Sequence, residues 1–193
     1  GAVEKAIDYM LVDCADQALL EKSRELAIAY GTSTVVISDG SKSNKLDTSI
    51  TATANRKGIP SVIPMCGGHT LVGDKDFLNR QVEHLLNIFR QLGMLEGPLV
   101  RFGNQYIYAD RLLLRHTQGG LFLPSMDGKD IGTVVPRGTL LGTTISPYTF
   151  EVLEEYRAPY EKTTMISARA MFSRVSPGEY AFIVADASTR IPI

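Results

Sequence analysis

The sequence predicts an α/β layer followed by a small all-β domain, and three observations carry that prediction. Up to about residue 96, amphipathic helical patterns alternate with short β-branched runs, the grammar of a parallel α/β layer. After Glu96-Gly97-Pro98 the helical spacing stops, and short strands punctuated by Gly, Pro, Asp and Asn take over. Within that second half a turn recurs: Val135-Pro136-Arg137-Gly138-Thr139-Leu140-Leu141 is echoed by Val175-Ser176-Pro177-Gly178-Glu179-Tyr180-Ala181. Two such turns predict two interlocked half-units, the construction of a barrel-sandwich hybrid, although valine-proline-glycine turns are also common in β proteins generally. The division read from the sequence is 1–96 for the α/β part and 97–193 for the all-β part.

Residues Tyr9 to Val12 form a short apolar run that reads as a strand. Asp16 stands before a helical stripe of Leu19, Leu20, Ser23, Leu26, Ala27 and Tyr30, where its carboxylate can accept orphan N–H groups, and Gly31 supplies the stop. Thr34 to Ser38 reads as a buried strand because it is rich in β-branched residues. A polar loop from Asp39 to Asp47 leads into a short helix over Thr48 to Arg56, closed by Gly58. Asp76 is placed to cap the strongest helix, with Leu78, Val82, Leu85, Leu86, Phe89 and Leu92 at three- and four-residue steps and Gly93 at its end. His84 within it reads as a packing or surface residue. Beyond residue 97 the predicted strands are Gln105–Ala109, Leu112–Arg115, Leu121–Leu123, Thr133–Val135, Leu140–Ile145, Val152–Tyr156, Thr164–Ser167 and Tyr180–Val184.

Composition bounds the function class. A formal net charge of -1 and no Lys/Arg run longer than two argue against a nucleic-acid or anionic-membrane partner. The longest apolar runs fall far short of a membrane span, and the start shows no secretory signal. Cys14 and Cys66 read as two buried free thiols, which favours a reducing cytoplasm. The chain opens on Gly1, which reads as a processed, tagged or excised piece.

The stretch that draws the chemistry together is Gly58-Ile59-Pro60-Ser61-Val62-Ile63-Pro64-Met65-Cys66-Gly67-Gly68-His69. It reads as a fully covered strand that leaves through a glycine pair, where backbone can approach a ligand closely because glycine has no Cβ. Cys66 and His69, three apart, have a spacing that suits metal ligands, with a further ligand needed from elsewhere. A thiol nucleophile at Cys66, with His69 as base and the Gly67 and Gly68 amides as oxyanion hole, is a second reading of the same residues. His116 reads as solvent-facing on a β edge. Arg137, Arg157 and Arg174 are of the type that meets a carboxylate bidentately.

The run Gly58 to Ile63 into Gly67-Gly68, the helix ending Leu85-Leu86-Asn87-Ile88-Phe89-Arg90-Gln91-Leu92-Gly93-Met94-Leu95, and Gly119-Gly120-Leu121-Phe122 with Val135 to Gly142 occur in that order. Together they resemble the C-terminal part of the succinylglutamate desuccinylase/aspartoacylase family, and Ser23 to Gly31 is similar to that family's helix upstream. The resemblance implies a partial zinc carboxypeptidase-like α/β layer followed by a β domain that shapes the substrate entrance. It also implies zinc-assisted hydrolysis of an N-acyl amide on a small amino-acid-like ligand, with a glutamate as general base. Gly67, Gly68 and Arg157 are the substrate-binding candidates it suggests.

The sequence departs from that family twice. It contains no His-x-x-Glu, and it begins just after the place of the third ligand; the other alignment, of Val12-Asp13-Cys14 with the family's Asp-Leu-His, puts Ala15 at the histidine. Either way no family zinc ligand is present, so no zinc is expected on this chain alone. The general-base glutamate would follow Ile63 by two residues, and Met65 stands there. A thioether takes no proton from water at neutral pH, so no turnover is expected. The rival classes are a non-catalytic relative that binds a small acidic ligand or a protein partner, and a biotinyl-type carrier, which the absence of a lysine in Ser146-Pro147-Tyr148-Thr149 disfavours. A partial α/β layer exposes an apolar flank, so a homo-oligomer is expected.

Overall fold

The computed structural model describes residues 4–14, 16–38, 49–66, 75–126, 130–169 and 173–193. In chain order the elements are β1 (Glu4–Ala6), β2 (Tyr9–Asp13), α1 (Gln17–Tyr30), β3 (Thr34–Ser38), α2 (Ile50–Arg56), β4 (Ile63–Met65) and α3 (Lys75–Gln91). There follow β5 (Tyr106–Tyr108), β6 (Leu112–Arg115), β7 (Gly120–Pro124), β8 (Val134–Pro136), β9 (Leu140–Ile145) and β10 (Val152–Arg157). The last are β11 (Lys162–Arg169), β12 (Ser173–Val175), β13 (Tyr180–Asp186), a 3₁₀ turn at Ala187–Thr189 and β14 (Ile191–Pro192). They form two compact units. Among the described residues, one holds 8–66, 75–110 and 190–193, and the other 4–7 and 111–189.

The first unit is built on a five-stranded sheet in the order β14-β5-β3-β2-β4. β2, β3 and β5 run parallel, which accounts for the continuous burial of Tyr9 to Val12. The strand expected over Gln105–Ala109 therefore forms, but beside Thr34–Val36 of the α/β sheet rather than among the β strands that follow it. Its flanking turn signals mark a strand without marking a sheet. The expected strand at Ile63 also forms, but as an antiparallel edge strand with Tyr9 opposite Met65, and it is not fully covered. An edge accommodates Pro64, which has no N–H to give to a second neighbour.

Local signals fixed the helices. Asp16 caps α1 through its Oδ1, which accepts from Leu19 N at 3.0 Å, and Gly31 closes it in the left-handed region at φ 96°. Ser49 caps α2 in the same way, accepting from Ala52 N at 3.0 Å. Asp76 lies inside the first turn of α3 rather than at its cap. The larger difference concerns which side of α3 is covered. Phe77, His84 and Asn87 are its buried residues, with Gln81 and Ile88 half-buried, whereas Leu78, Val82, Leu85, Phe89 and Leu92 of the apolar stripe are exposed.

The second unit contains two antiparallel sheets, β10-β9-β7-β12 and β1-β11-β13-β6, with β8 also paired to β11. Between them lies a core of Phe122, Leu141, Tyr156, Met165, Phe182 and Val184. The repeat seen in the sequence is present in the hydrogen bonding. Thr139 N donates to Pro136 O and Glu179 N to Ser176 O, each across a glycine with positive φ, Gly138 at 81° and Gly178 at 90°. Gly138 N donates to Ala158 O as Gly178 N donates to His116 O, and Arg157 and Arg115 each donate to the carbonyl of the glycine in question. The halves are swapped: β8 pairs with β11 and β12 with β7. Neither sheet closes on itself among the described residues.

Candidate functional site

The end of β4 brings together side chains that lie far apart in the sequence. Asn55, at the end of α2, donates to Asp13 O at 3.1 Å and accepts from Ser61 Oγ at 3.0 Å, and Ser61 N donates to the buried Ser23 Oγ at 3.0 Å. These bonds hold the approach to β4 between α1, α2 and β2. Met65 then stands half-buried at the strand end, with no proton-accepting atom to offer. Gly67, Gly68 and His69, named above as substrate-binding, oxyanion-hole or metal candidates, lie outside the described residues.

Cys66 is exposed rather than buried, and only Cys14 is the buried thiol expected. The Cys66 Sγ lies 3.6 Å from Tyr30 Oη, which donates to Gln81 Oε1 at 3.0 Å; Gln81 Nε2 in turn donates to Asp8 Oδ2 at 3.0 Å. Burial at the sulfur end pushes the thiol pKa up, and the Tyr30 hydroxyl only partly offsets that. Burial, then the neighbouring thiol, likewise pushes the Tyr30 phenol up. Both groups therefore stay protonated at neutral pH, the opposite of what an activated thiolate needs.

His84 packs behind this chain. Its Nδ1 lies 2.5 Å from the Tyr30 carbonyl, so that nitrogen carries the proton, and its ring stacks on Tyr30 at 4.8 Å. Burial pulls its pKa down. Among the described residues no group of three or more His, Cys, Asp or Glu side chains is placed to hold a metal ion.

The sequence reading missed a groove of about 300 Å³ in the same unit, lined by Leu20, Glu21, Arg24, Ile37, Ile107, Ala109 and Ile191. It lies by the carboxyl ends of β3 and β5, where open α/β sheets tend to take ligands. Its lining is largely aliphatic, and Arg24 stands at its margin with a buried Nε that has no hydrogen-bond partner. The only sequence signal was the helical spacing of Leu20 and Arg24, which does not say what lies opposite.

In the β unit two of the three candidate arginines are engaged. Arg157 bonds Glu155 Oε2 at 2.7 Å and Gly138 O at 3.0 Å, and Arg137 pairs with Glu161 at 3.0 Å. Arg174 is exposed. Since Arg115 clamps the second repeat as Arg157 clamps the first, the two share a role in holding the turns.

His116 overturns the expectation of a solvent-facing residue: it is 2 % exposed, because the second turn pins its backbone between the two sheets. Tyr156 spends its proton on Glu154 Oε2 at 2.6 Å, so His116 Nδ1 must donate to the Tyr156 oxygen, also at 2.6 Å. Thr144 Oγ1 lies within 3.2 Å of the same nitrogen, and the opposite ring nitrogen, Nε2, is buried with no partner. Burial, reinforced by Arg169, pulls the His116 pKa down. Burial alone would raise Glu154, but bonds from Tyr156, Thr117 and Gln118 outweigh it and hold the carboxyl below its usual range.

A histidine whose folded pKa is depressed binds fewer protons folded than unfolded, so its stability contribution is complete above about pH 6.5 and is lost as the pH falls below it. Thermal unfolding is expected to show a falling acid limb from that point, to which the depressed His84 contributes as well, and His116→Asn, which keeps a donor toward Tyr156 but cannot titrate, is expected to make it shallower. An acid limb of unchanged slope in the variant would assign the effect to other groups.

No protein-family model matches the chain, and no curated protein sequence matches it. Solved structures do. A succinylglutamate desuccinylase from Silicibacter sp. TM1040 superposes with a TM-score of 0.75 at 19% identity, covering 96% of this chain and 55% of that one. A succinylglutamate desuccinylase/aspartoacylase from Rhodobacter sphaeroides gives 0.75 at 19%, covering 96% and 56%. The product-bound ectoine utilization protein EutE from Ruegeria pomeroyi gives 0.76 at 18%, covering 95% and 55%. The chain thus carries the succinylglutamate desuccinylase/aspartoacylase fold over nearly its whole length while spanning little more than half the length of those structures.

Proposed function

We propose that the chain belongs to the succinylglutamate desuccinylase/aspartoacylase family, whose implied reaction is zinc-dependent hydrolysis of an N-acyl amide on a small amino-acid-like substrate, and that this polypeptide alone turns over none. The observation that carries the family reading is the fold likeness over at least 95% of the chain in three solved structures. It is joined by the ordered motifs from Gly58 to Gly142. The inactive reading rests on Met65 at the general-base position. The swapped half-units of the β unit support the barrel-sandwich reading of that part, and two free thiols fit a reducing compartment such as the cytoplasm. No helix among the described residues is long and apolar enough to cross a membrane.

One observation favours the second reading, a non-catalytic relative that holds a small acidic ligand. The Arg24 Nε is a buried donor without an acceptor beside a largely aliphatic groove, while its Nη1 lies 3.5 Å from Glu21 of the same lining, so a carboxylate on a short aliphatic body would take the Nε and share the guanidinium with Glu21. Gly67 and Gly68 are the further backbone contacts proposed from the family resemblance.

The deciding experiment is zinc content by elemental analysis with intact mass, together with amine release from N-succinylglutamate and N-acetylaspartate. Well under one zinc per chain and no release above the blank are expected. One equivalent of zinc, or measurable release that a chelator abolishes, would overturn the inactive reading and leave the family reading standing.

A further inference from the structure

Residues 116–119 carry the chain from β6, in one sheet of the β unit, to β7, in the other. Thr117, Gln118 and Gly119 are exposed, and His116 is the buried member of this crossover. Its fastenings lie outside the strand ladders. His116 N donates to Glu179 O and the His116 carbonyl accepts from Gly178 N, both at 2.8 Å. Thr117 N and Gln118 N donate to Glu154 Oε2 at 3.0 and 3.4 Å, and Tyr156 ties that same oxygen to the His116 ring. Carboxylate, phenol, imidazole and backbone thus close a loop that holds the crossover on β10.

The loop needs a neutral imidazole. Nδ1 is committed to Tyr156, so a proton can enter only at Nε2, a buried nitrogen with no partner among the described residues. A charged N–H there would lose its hydration and gain no acceptor. The surrounding groups do not supply one. Glu154 Oε2 already takes Tyr156, Thr117 and Gln118, and Glu179 Oε2 takes Arg169 at 3.2 Å and Ser176 N at 2.9 Å. Arg169 repels a second positive charge, Arg115 donates to the Gly178 carbonyl, and Thr144 and Phe122 carry no charge. Turning the ring out to water satisfies it, and doing so breaks the fastenings of the crossover but no strand pair.

We propose that His116 is an acid-operated latch on this crossover: taking a proton at Nε2, its ring leaves the core and frees residues 116–118 from Glu154 and from the Gly178 turn while both sheets stay formed. A segment held by so few bonds opens at less cost than the whole unit. Opening bares the Phe122 ring, 5.1 Å from His116, so the acid form presents an apolar surface that the neutral form covers. The open population rises as the pH falls through about 6.5, where a solvated histidine titrates.

The test is hydrogen exchange read amide by amide by NMR on the full 193-residue chain between about pH 7.5 and about pH 5.5, with the intrinsic rates divided out. The amides of His116, Thr117, Gln118 and Gly178 are expected to lose protection together, by about tenfold, while the β7–β9 ladder keeps its own. In His116→Asn that loss is expected to vanish. The nitrogen chemical shifts of the wild-type His116 ring give a reading that needs no variant: a proton on Nδ1 and a bare Nε2 at the upper pH, with a doubly protonated ring only where protection is lost. Protection that holds down to the lower pH, a loss shared equally by the ladder, or a doubly protonated ring with protection intact would overturn the proposal.

Discussion

Gly120→Ala is expected to destabilise the β unit by about 3 kcal/mol or more, lowering the midpoint of its thermal transition by roughly 12–24 °C. Gly120 opens β7, which is paired on one side with β9 and on the other with β12. A Cβ there would fall on the Ile145 carbonyl oxygen, and it would stand 2.8 Å from Thr144 Cγ2. The first neighbour is backbone in a central strand, so relief requires moving the β7–β9 ladder itself. Across that ladder, a Cβ at Gly142 would meet Leu123 O at 2.9 Å. A glycine inside a strand marks such a close approach of backbones. Gly138→Ala and Gly178→Ala are the controls: both glycines have positive φ but nothing within 4 Å of the added carbon, so only the dihedral cost of about 1 kcal/mol is expected. Differential scanning calorimetry of the three variants checks the ranking. Equal losses at Gly120 and Gly138 would show that crowding at β7 has no special weight.

Phe122→Ala is expected to cost about 3–5 kcal/mol, the range for removing a fully buried aromatic from a packed core. Phe122 is 0% exposed, and its ring meets Phe182 at 5.5 Å, Tyr156 at 5.8 Å and His116 at 5.1 Å, all edge to face. Removing it empties the space between the two sheets and strips one wall from the dry compartment around His116. The variant's acid limb should therefore be shallower as well as lower, because water admitted to the cavity can solvate a protonated His116 Nε2. Unfolding in urea across the pH range reads both effects. A loss below about 1 kcal/mol would mean that the sheets close over the gap.

Much of the fold was legible because the signals are local. Asp16 and Gly31 bound α1, and the capping bond and the left-handed stop each need only a few residues of chain. The repeated turns around Gly138 and Gly178 were visible for the same reason: two positive-φ glycines after similar residues dictate the same turn twice. Ordered motifs in the sequence also pointed to the fold that the solved structures share.

What the tertiary structure alone decided is which partner each element meets. Tyr106–Tyr108 reads as a strand from its residues, but only the register with Thr34–Val36 places it in the α/β sheet. Ile63–Met65 reads as a covered strand, yet among the described residues it pairs only with β2 and runs antiparallel at the edge. The apolar stripe of α3 is plain in the sequence, and its exposure is not, because the covered face was chosen by the fit of His84 and Gln81 on Tyr30. His116 looks like a surface residue between Arg115 and Thr117, and it is buried because a turn some sixty residues later fixes its backbone. Backbone dihedrals and caps are settled within a few residues, so the sequence by itself determined them. Burial and pairing depend on contacts between distant segments, which no window of sequence contains.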